Sequence, residues 1–520
     1  MKKIEVFDST LRDGAQGEGI SFSVKDKLRV IKSLCELEID YIEAGNPSSN
    51  PKDIEFFSEL SNIDTKNTKI VAFGSTRRKN INVVDDASVK ALEAANTSVV
   101  AIFGKSWDLH IFDVIKTTIE ENMAMIYDTV KYFKDLGKEV VFDCEHFFDG
   151  YKSNSDCALG AIKSALDAGA DRIVLCDTNG GVFPDEVYTI SKAVIDKFPD
   201  IRLGIHCHND NGLAIANSIA AVQGGSCHIQ GTIIGFGERC GNANLSTLIP
   251  NLQMKLGYNL IPDKNMAKLT GVCKKIAEIS NVKLQSNLPY IGKSAFAHKA
   301  GMHADGVKKN KASFEHIDPE TVGNERRFLI SEMAGRTILL DKIKQFDSTL
   351  TRDSEQTQNI INKIKELEYL GYQFDGAEAS FELIVLKELG KYKPFFKLIN
   401  YTIVCENPPV LNTSDKATIK IEVEGVEEMT AAEGNGPVNA LDKALRKALY
   451  RFYPQVTDIS LADYKVRVLE GTGATESKVR VLIDTTDGED IWTTIGVSTD
   501  IIEASWLAIV DSIEYKLCKM

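Results

Sequence analysis

No stretch of this 520-residue chain reaches the ~18 consecutive apolar residues of a membrane-spanning helix, and no cationic block is longer than Arg77-Arg78-Lys79. The first absence removes the membrane as an expected partner. The second, with 61 basic against 74 acidic residues and a formal charge of −13, argues against a surface built for phosphate backbones, so nucleic acid is not an expected partner either. The ten cysteines (35, 144, 157, 176, 207, 227, 240, 273, 405, 518) include no CxxC pair, in a chain large enough to be held by its own core. Reduced, mostly buried thiols are expected. The start, Met-Lys-Lys-Ile-Glu-Val-Phe-Asp, runs straight into a strand pattern, and the expectation is a cytoplasmic protein.

What is present is an alternation of short apolar runs with amphipathic helical segments, the pattern of βα units and a parallel sheet. The strand candidates are Ile4–Phe7, Tyr41–Ala44, Ile70–Phe73, Val99–Phe103, Val140–Cys144, Arg172–Cys176, Leu203–Cys207 and His228–Ile234. Between them the spacing predicts helices over Val24–Leu37, Ala87–Ala95, Glu121–Leu136, Ala158–Ala168, Asp185–Phe198, Leu213–Gly224 and Leu245–Leu256. Eight such units in about 257 residues match the number and size of a closed (β/α)8 TIM barrel. A doubly wound sheet would carry a glycine fingerprint after its first strand, and Asp-Ser-Thr-Leu-Arg-Asp-Gly-Ala-Gln has no G-x-G-x-x-G spacing.

A chain of this length is expected to split into roughly three domains. The periodicity is helical from about Tyr258 to Gly390, interrupted by a glycine- and histidine-rich stretch at Gly292–Val307. Beyond it come strand patterns at Phe396–Cys405, Ala417–Glu424, Tyr464–Leu469 and Lys478–Asp484, with helices over Val438–Phe452 and Ile501–Leu517. Strands, a turn at Gly434-Asn435-Gly436-Pro437 and a helix, then strands, a turn at Gly496-Val497-Ser498 and a helix, suggest a duplicated small α+β unit. The expected architecture is therefore α/β: a catalytic barrel over residues 1–265, helical linker subdomains over 266–390, and an α+β domain for binding or assembly over 391–520.

In a TIM barrel the active site lies at the carboxyl ends of the strands, and this sequence places polar residues there repeatedly. Arg12-Asp13, Glu43, Thr76-Arg77, Glu145-His146, Asp177-Thr178, His206-Cys207-His208-Asn209-Asp210 and Glu238-Arg239-Cys240-Gly241-Asn242 follow successive strand ends. His206 and His208, two apart on one strand, share a face, so both enter the mouth while Cys207 faces the helices. Two neutral imidazoles converging on one point suit a divalent cation. Barrel closure brings Asp13 and Asn242 to the same end, and this mixed nitrogen and oxygen set suits Zn, Mn or Co, with Mg possible. Taken singly, Asp13 reads first as a loop cap and Asn242 as a helix cap before Leu245–Leu256.

Phe-Asp-Ser-Thr-Leu-Arg-Asp-Gly-Ala-Gln resembles the family motif D-[ST]-T-L-R-D-G-x-Q. His206-Cys207-His208-Asn209-Asp210 resembles H-x-H-N-D, and Gly235-Phe236-Gly237-Glu238-Arg239-Cys240-Gly241-Asn242-Ala243 resembles G-x-G-E-R-x-G-N-A. Together these are specific to the 2-isopropylmalate, homocitrate and citramalate synthases, and the first is shared more loosely with 3-hydroxy-3-methylglutaryl-CoA lyase. Residues 395–520 are similar to the regulatory domain of isopropylmalate and citramalate synthases, a domain the lyases lack. Segments such as Glu43-Ala44-Gly45-Asn46-Pro47 and Glu145-His146-Phe147-Phe148-Asp149-Gly150-Tyr151 are similar to the longer bacterial citramalate synthases.

The resemblance implies a metal-dependent Claisen condensation of acetyl-CoA with a small 2-oxo acid, pyruvate in the citramalate synthases. Asp13, His206, His208 and Asn242 would hold the metal, Arg12 would stabilise the developing alkoxide, and Thr178 and Glu43 would contact the oxo acid. Glu145 is the candidate base for the acetyl methyl, with an ion pair to Arg12 as its alternative role. Phe103 is a candidate wall against larger oxo acids, and Arg77 and Arg78 are candidates to meet CoA phosphates. His303 resembles the linker histidine that the family brings over the neighbouring subunit's site. The family's T-Y-E reads Ser313-Phe314-Glu315-His316 here, so the expected hydroxyl is missing and a water or His316 is left to complete the relay. The C-terminal domain would form a homodimer and bind a feedback amino acid, isoleucine if the product is citramalate. The competing readings are a 2-isopropylmalate synthase, an acyl-CoA lyase, and a non-enzymatic amino-acid sensor on a decayed barrel.

Overall fold

The computed structural model describes all residues except 1, 50, 61–62, 300, 330–339, 341–342, 345, 352–353, 411–412, 470–476, 489 and 520. Two compact units divide it: Met1–Phe296 with Ile317–Arg326, and Ala297–His316 with Arg327–Met520.

The first unit is the expected barrel. β1 (Glu5–Asp8), β2 (Tyr41–Gly45), β3 (Lys69–Ser75), β4 (Val99–Lys105), β5 (Glu139–Glu145), β6 (Arg172–Asp177), β7 (Leu203–Cys207) and β8 (His228–Gly231) run parallel and close in sequence order, β8 pairing back onto β1. Alternation along each strand makes two cores. Outward side chains such as Val6, Ile42, Val100, Phe142, Leu175, Ile205 and Cys207 pack beneath the surrounding helices, while Phe7, Tyr41, Val71, Ala101, Val141 and Val174 fill the bore. The floor of the bore is charged. Arg172, buried, meets Glu5 through two nitrogens and also Glu139, which takes further hydrogen bonds from Lys69 and Tyr41.

The helices begin where their caps dictate. Ser23 and Asp26 form a reciprocal capping box at α1 (Val24–Cys35), whereas Asp86 caps α3 (Ala87–Ala94) and Thr118 caps α4 (Ile119–Asp135). α2 (Pro51–Glu59) and the short α5 (Phe147–Ser153) are additions to the predicted set, and α6 (Ser155–Asp167), α7 (Pro184–Lys197) and α8 (Ala214–Gln223) follow their expected positions.

Two boundaries differ. The eighth strand stops at Gly231 rather than Ile234, because Thr232 pairs with the returning segment Ala243–Leu245 instead of a barrel neighbour, and Ile234 adopts a left-handed φ of 53° in the turn. The helix expected over Leu245–Leu256 is regular only to Pro250, α9 being Leu245–Pro250. Pro250 has no N–H to continue the ladder, and Asn251–Lys255 go on as a wider π-type turn.

In the second unit, helices Gly301–Lys309, Glu355–Tyr369 and Glu378–Glu388 accompany a short parallel pair, β9 (Ala297–His298) with β10 (Arg327–Phe328). The duplication is present but each half has three strands rather than two. β11 (Lys397–Val410), β12 (Thr413–Val423) and β13 (Val426–Gly434) precede helix Pro437–Tyr450, and β14 (Ser460–Val468), β15 (Val479–Thr486) and β16 (Ile491–Ser498) precede helix Ile501–Lys519. The turn expected at Gly496-Val497-Ser498 is therefore strand. Gly496 serves close packing there, since a Cβ would strike the carbonyl oxygen of Ala504 on the following helix. Ile419, Ile421, Leu441 and Leu445 of one half join Val481, Ile483, Ile509 and Ile513 of the other in a single core.

Cys35, Cys144, Cys157, Cys176, Cys207 and Cys273 are buried free thiols, whereas Cys240 and Cys405 are exposed. No described helix is long and apolar enough to cross a membrane.

Candidate active site

The loop leaving β1 is shaped by Asp8, whose carboxylate accepts from the backbone N–H and hydroxyl of Thr10, and by Ser9, whose hydroxyl accepts from Asp13 N–H. This turn aims Arg12 and Asp13 into a cavity of about 340 Å³ at the barrel mouth, lined also by Phe73, Phe103, Asp143, Glu145, Thr178, His206 and His208.

Arg12 is held on three sides. Its Nε donates to Glu43 at 2.6 Å, Nη1 donates to Asp13 at 3.0 Å, and its guanidinium carbon lies 3.9 Å from the centre of the Phe73 ring. Burial opposes its charge, but Glu43 and Asp13 outweigh burial and raise its pKa further. Burial also pushes the Asp13 carboxyl up, yet Arg12, with the Asn242 amide bonded to the same carboxyl, holds it well below the usual carboxylate range. Glu43, expected to contact the oxo acid, is not among the residues that line the cavity. It is fully buried beneath Arg12, where its Oε2 accepts from Arg12 and Ser9 and so anchors the arginine.

The predicted ligands converge. His206 Nε2 is 3.6 Å and His208 Nε2 is 4.0 Å from Asp13 Oδ2, and the three ligand atoms lie within 4.8 Å of one another. His208, the residue after β7, forms an antiparallel bridge with Asn242 on the segment returning after β8. Asn242 Nδ2 donates to Asp13 Oδ1 and Phe236 O, each at 3.0 Å. Gly241 makes this turn possible with φ of 81°, and a Cβ there would strike Gly235 O. Among the described residues Asn242 Oδ1 and His208 Nδ1 are buried without a hydrogen-bond partner. An orphaned amide oxygen beside a carboxylate and two imidazoles is the donor set a divalent cation satisfies, so the site fits one.

Burial lowers His206 to about 4 and lowers His208 as well, keeping both rings neutral as ligation requires. The stability consequence has a definite sign. An unfolded histidine titrates near 6.5, so below that pH the unfolded chain binds a proton that the folded chain refuses until about 4. His206's contribution is complete above pH ~6.5 and declines as the pH falls toward 4, by about 3 kcal/mol in all. In chelator, the melting temperature of the wild type should drop more steeply over that window than that of His206→Asn; parallel curves would contradict the assignment.

Three more residues lie as follows. Glu145 lines the cavity, but its ion-pair partner is Lys105, not Arg12. Thr178 Oγ1 accepts from His146 N–H at 2.9 Å. Phe103 stacks on Phe73 at 5.3 Å and 15°.

Arg77, a candidate to meet CoA phosphates, is a buried residue. Its guanidinium is paired with Glu121 at 2.7 Å and Asp128 at 2.8 Å on α4, leaving Arg78 and Lys79 as the exposed charges of that triplet. His303 belongs to the second unit, exposed, with its ring stacked at 4.3 Å on Phe314, the residue standing in the tyrosine position. Two inward residues went unpredicted. Asp143 faces the cavity from β5, burial together with the Glu43 charge pushing it up to about 8, and Gln230 on β8 touches both Asp143 and His206.

A closed parallel barrel with this rim is matched by the HMGL-like family model over residues 3–279. The Homocitrate synthase post-HMGL domain-like model follows at 290–370, and the LeuA allosteric (dimerisation) domain at 375–517. The protein is thus an HMGL-like barrel carrying a LeuA-type domain. Over 100% of this chain and 98% of its own length, the (R)-citramalate synthase of Aquifex aeolicus is 52% identical. That of Synechocystis sp. is 47% identical over 98% and 96%. A probable 2-isopropylmalate synthase of Methanopyrus kandleri stands at 30% over 98% and 97%. The chain belongs to the (R)-citramalate synthase family.

Proposed function

We propose that the protein condenses acetyl-CoA with pyruvate and hydrolyses the thioester, releasing (R)-citramalate and CoA for isoleucine biosynthesis in the cytoplasm. The observation that carries this reading is the convergence of Asp13, His206, His208 and Asn242 beside Arg12 in a chain 52% identical to an (R)-citramalate synthase throughout its length. A divalent cation in that set, with Mn, Zn, Co and Mg as the candidates, would polarise the oxo acid's carbonyl as a Lewis acid.

The other steps fall to side chains. Arg12, fixed by Glu43 and Phe73, presents a permanent charge where the alkoxide forms. Glu145 takes the proton from the acetyl methyl; its own cation is Lys105, which leaves Arg12 to the oxo acid. Thr178 holds the oxo acid's carboxylate. Arg78 meets the CoA phosphates at the mouth, and His303, with a water or His316 in place of the family hydroxyl, completes the proton relay from the partner copy of a homodimer. Isoleucine bound by the LeuA-type domain provides feedback; unchanged kinetics and no heat of binding with isoleucine would refute that control.

Phe103, stacked on Phe73, closes the site beyond a methyl group. Thiol release with pyruvate should greatly exceed that with 2-oxoisovalerate. Phe103→Ala should shift the ratio of specificity constants toward the larger acid by about 10- to 100-fold, since a pocket wall is worth ~1–3 kcal/mol. Preference for 2-oxoisovalerate in the wild type would overturn the assignment in favour of 2-isopropylmalate synthesis.

A further inference from the structure

We propose that Asp143 and Gln230 are positioning residues that set the tautomer of His206, and through it the affinity of the cation site. The three side chains form a strut across the bore from β5 through β8 to β7. Gln230 Nε2 donates to Asp143 Oδ1 at 3.0 Å, and Gln230 Oε1 lies 3.0 Å from His206 Nδ1. All three residues are buried, Gln230 completely. The inference deepens the cation reading of the proposed function and rests on it.

The argument turns on the two-faced amide. Its oxygen and nitrogen ends have nearly the same shape, so contact alone fits either orientation. Asp143 removes the ambiguity in its ionised form, which prevails above pH ~8, because both of its oxygens then accept hydrogen bonds and would repel the amide oxygen. The NH2 end therefore faces Asp143 and the carbonyl end faces His206. A carbonyl can only accept, which requires the ring proton on Nδ1. A neutral imidazole has one such proton, so Nε2 is left with a bare lone pair, and Nε2 is the atom 3.6 Å from Asp13 Oδ2. With the amide reversed, the proton would move to Nε2 and occupy the direction the cation needs. Asp143 thus acts on the cation through Gln230 and His206.

A double-mutant cycle on the full-length protein tests this, with Mn2+ affinity measured by competition against a chelator above pH ~8, where Asp143 is ionised. Gln230→Met keeps the Asp143 charge but breaks the strut; Asp143→Leu breaks it from the other end. Each should weaken Mn2+ binding about 10- to 100-fold, and the two together no more than Gln230→Met alone. Additive losses would mean that Asp143 acts by its charge, and wild-type affinity in Gln230→Met would mean that the strut does nothing; either result overturns the inference. Should Asp143→Leu not fold, Asp143→Leu/Gln230→Glu carries the test. Both oxygens of a carboxylate accept, so affinity within about threefold of wild type is expected without Asp143, and affinity as weak as Gln230→Met would refute the tautomer argument. If the wild type itself binds no Mn2+, Zn2+, Co2+ or Mg2+, the cation reading fails first, and that outcome is distinct from the others.

Discussion

His208→Ala is expected to lower citramalate formation by about 10³-fold or more and to release the bound cation, with little change in the fold. The first part follows from ligand number. Removing one imidazole leaves Asp13, His206 and Asn242 to hold the ion, and the Lewis-acid contribution that would be lost is several kcal/mol, each ~1.4 kcal/mol being tenfold in rate. The second part follows from what His208 does for the folded chain. Its Nδ1 has no hydrogen-bond partner among the described residues, and its Nε2 lies 4.0 Å from Asp13, too far for a hydrogen bond. Elemental analysis and thiol release on the purified variant check both parts. Full turnover in a metal-free His208→Ala protein would place the chemistry elsewhere.

Arg12→Met should behave differently, impairing stability and catalysis together. Glu43 is fully buried with burial pushing its carboxyl up, and Arg12 is the leading influence against that push. Taking away the partner of a buried charge costs about 3–5 kcal/mol, while losing the cation at the alkoxide costs about 10²- to 10³-fold in turnover. The two losses are separable. Adding Glu43→Gln should restore most of the stability in a denaturant titration and none of the turnover. Recovery of turnover by the double variant would show that Arg12 serves the fold rather than the reaction.

The contrast between Arg12 and Arg77 shows how far the sequence could be read. Both follow a strand end in a βα loop, which marks them equally as mouth residues. Direction separates them: Arg12 turns into the bore above Glu43, while Arg77 turns outward to two acids spaced two turns apart on α4. That spacing of Glu121 and Asp128 was the available signal. The eight βα units were legible because apolar runs and amphipathic stretches alternate regularly, and the cation set because His206 and His208 share a face and stand in motifs with Asn242. Asp143 and Gln230 were not, since an isolated Asp within Val-Val-Phe-Asp-Cys or Gln within His-Ile-Gln-Gly acquires meaning when closure sets β5 opposite β8. The third strand of each half of the C-terminal domain escaped for another reason. β13 is largely exposed and reads Val-Glu-Glu-Met-Thr-Ala-Ala-Glu-Gly, with hardly any apolar alternation, and β16 ends in residues that by type favour a turn.

The charged plug formed by Arg172, Glu5, Glu139 and Lys69 makes the barrel a cup with one lip. With that end stoppered, both reactants of the proposed condensation enter, and both products leave, by the same opening.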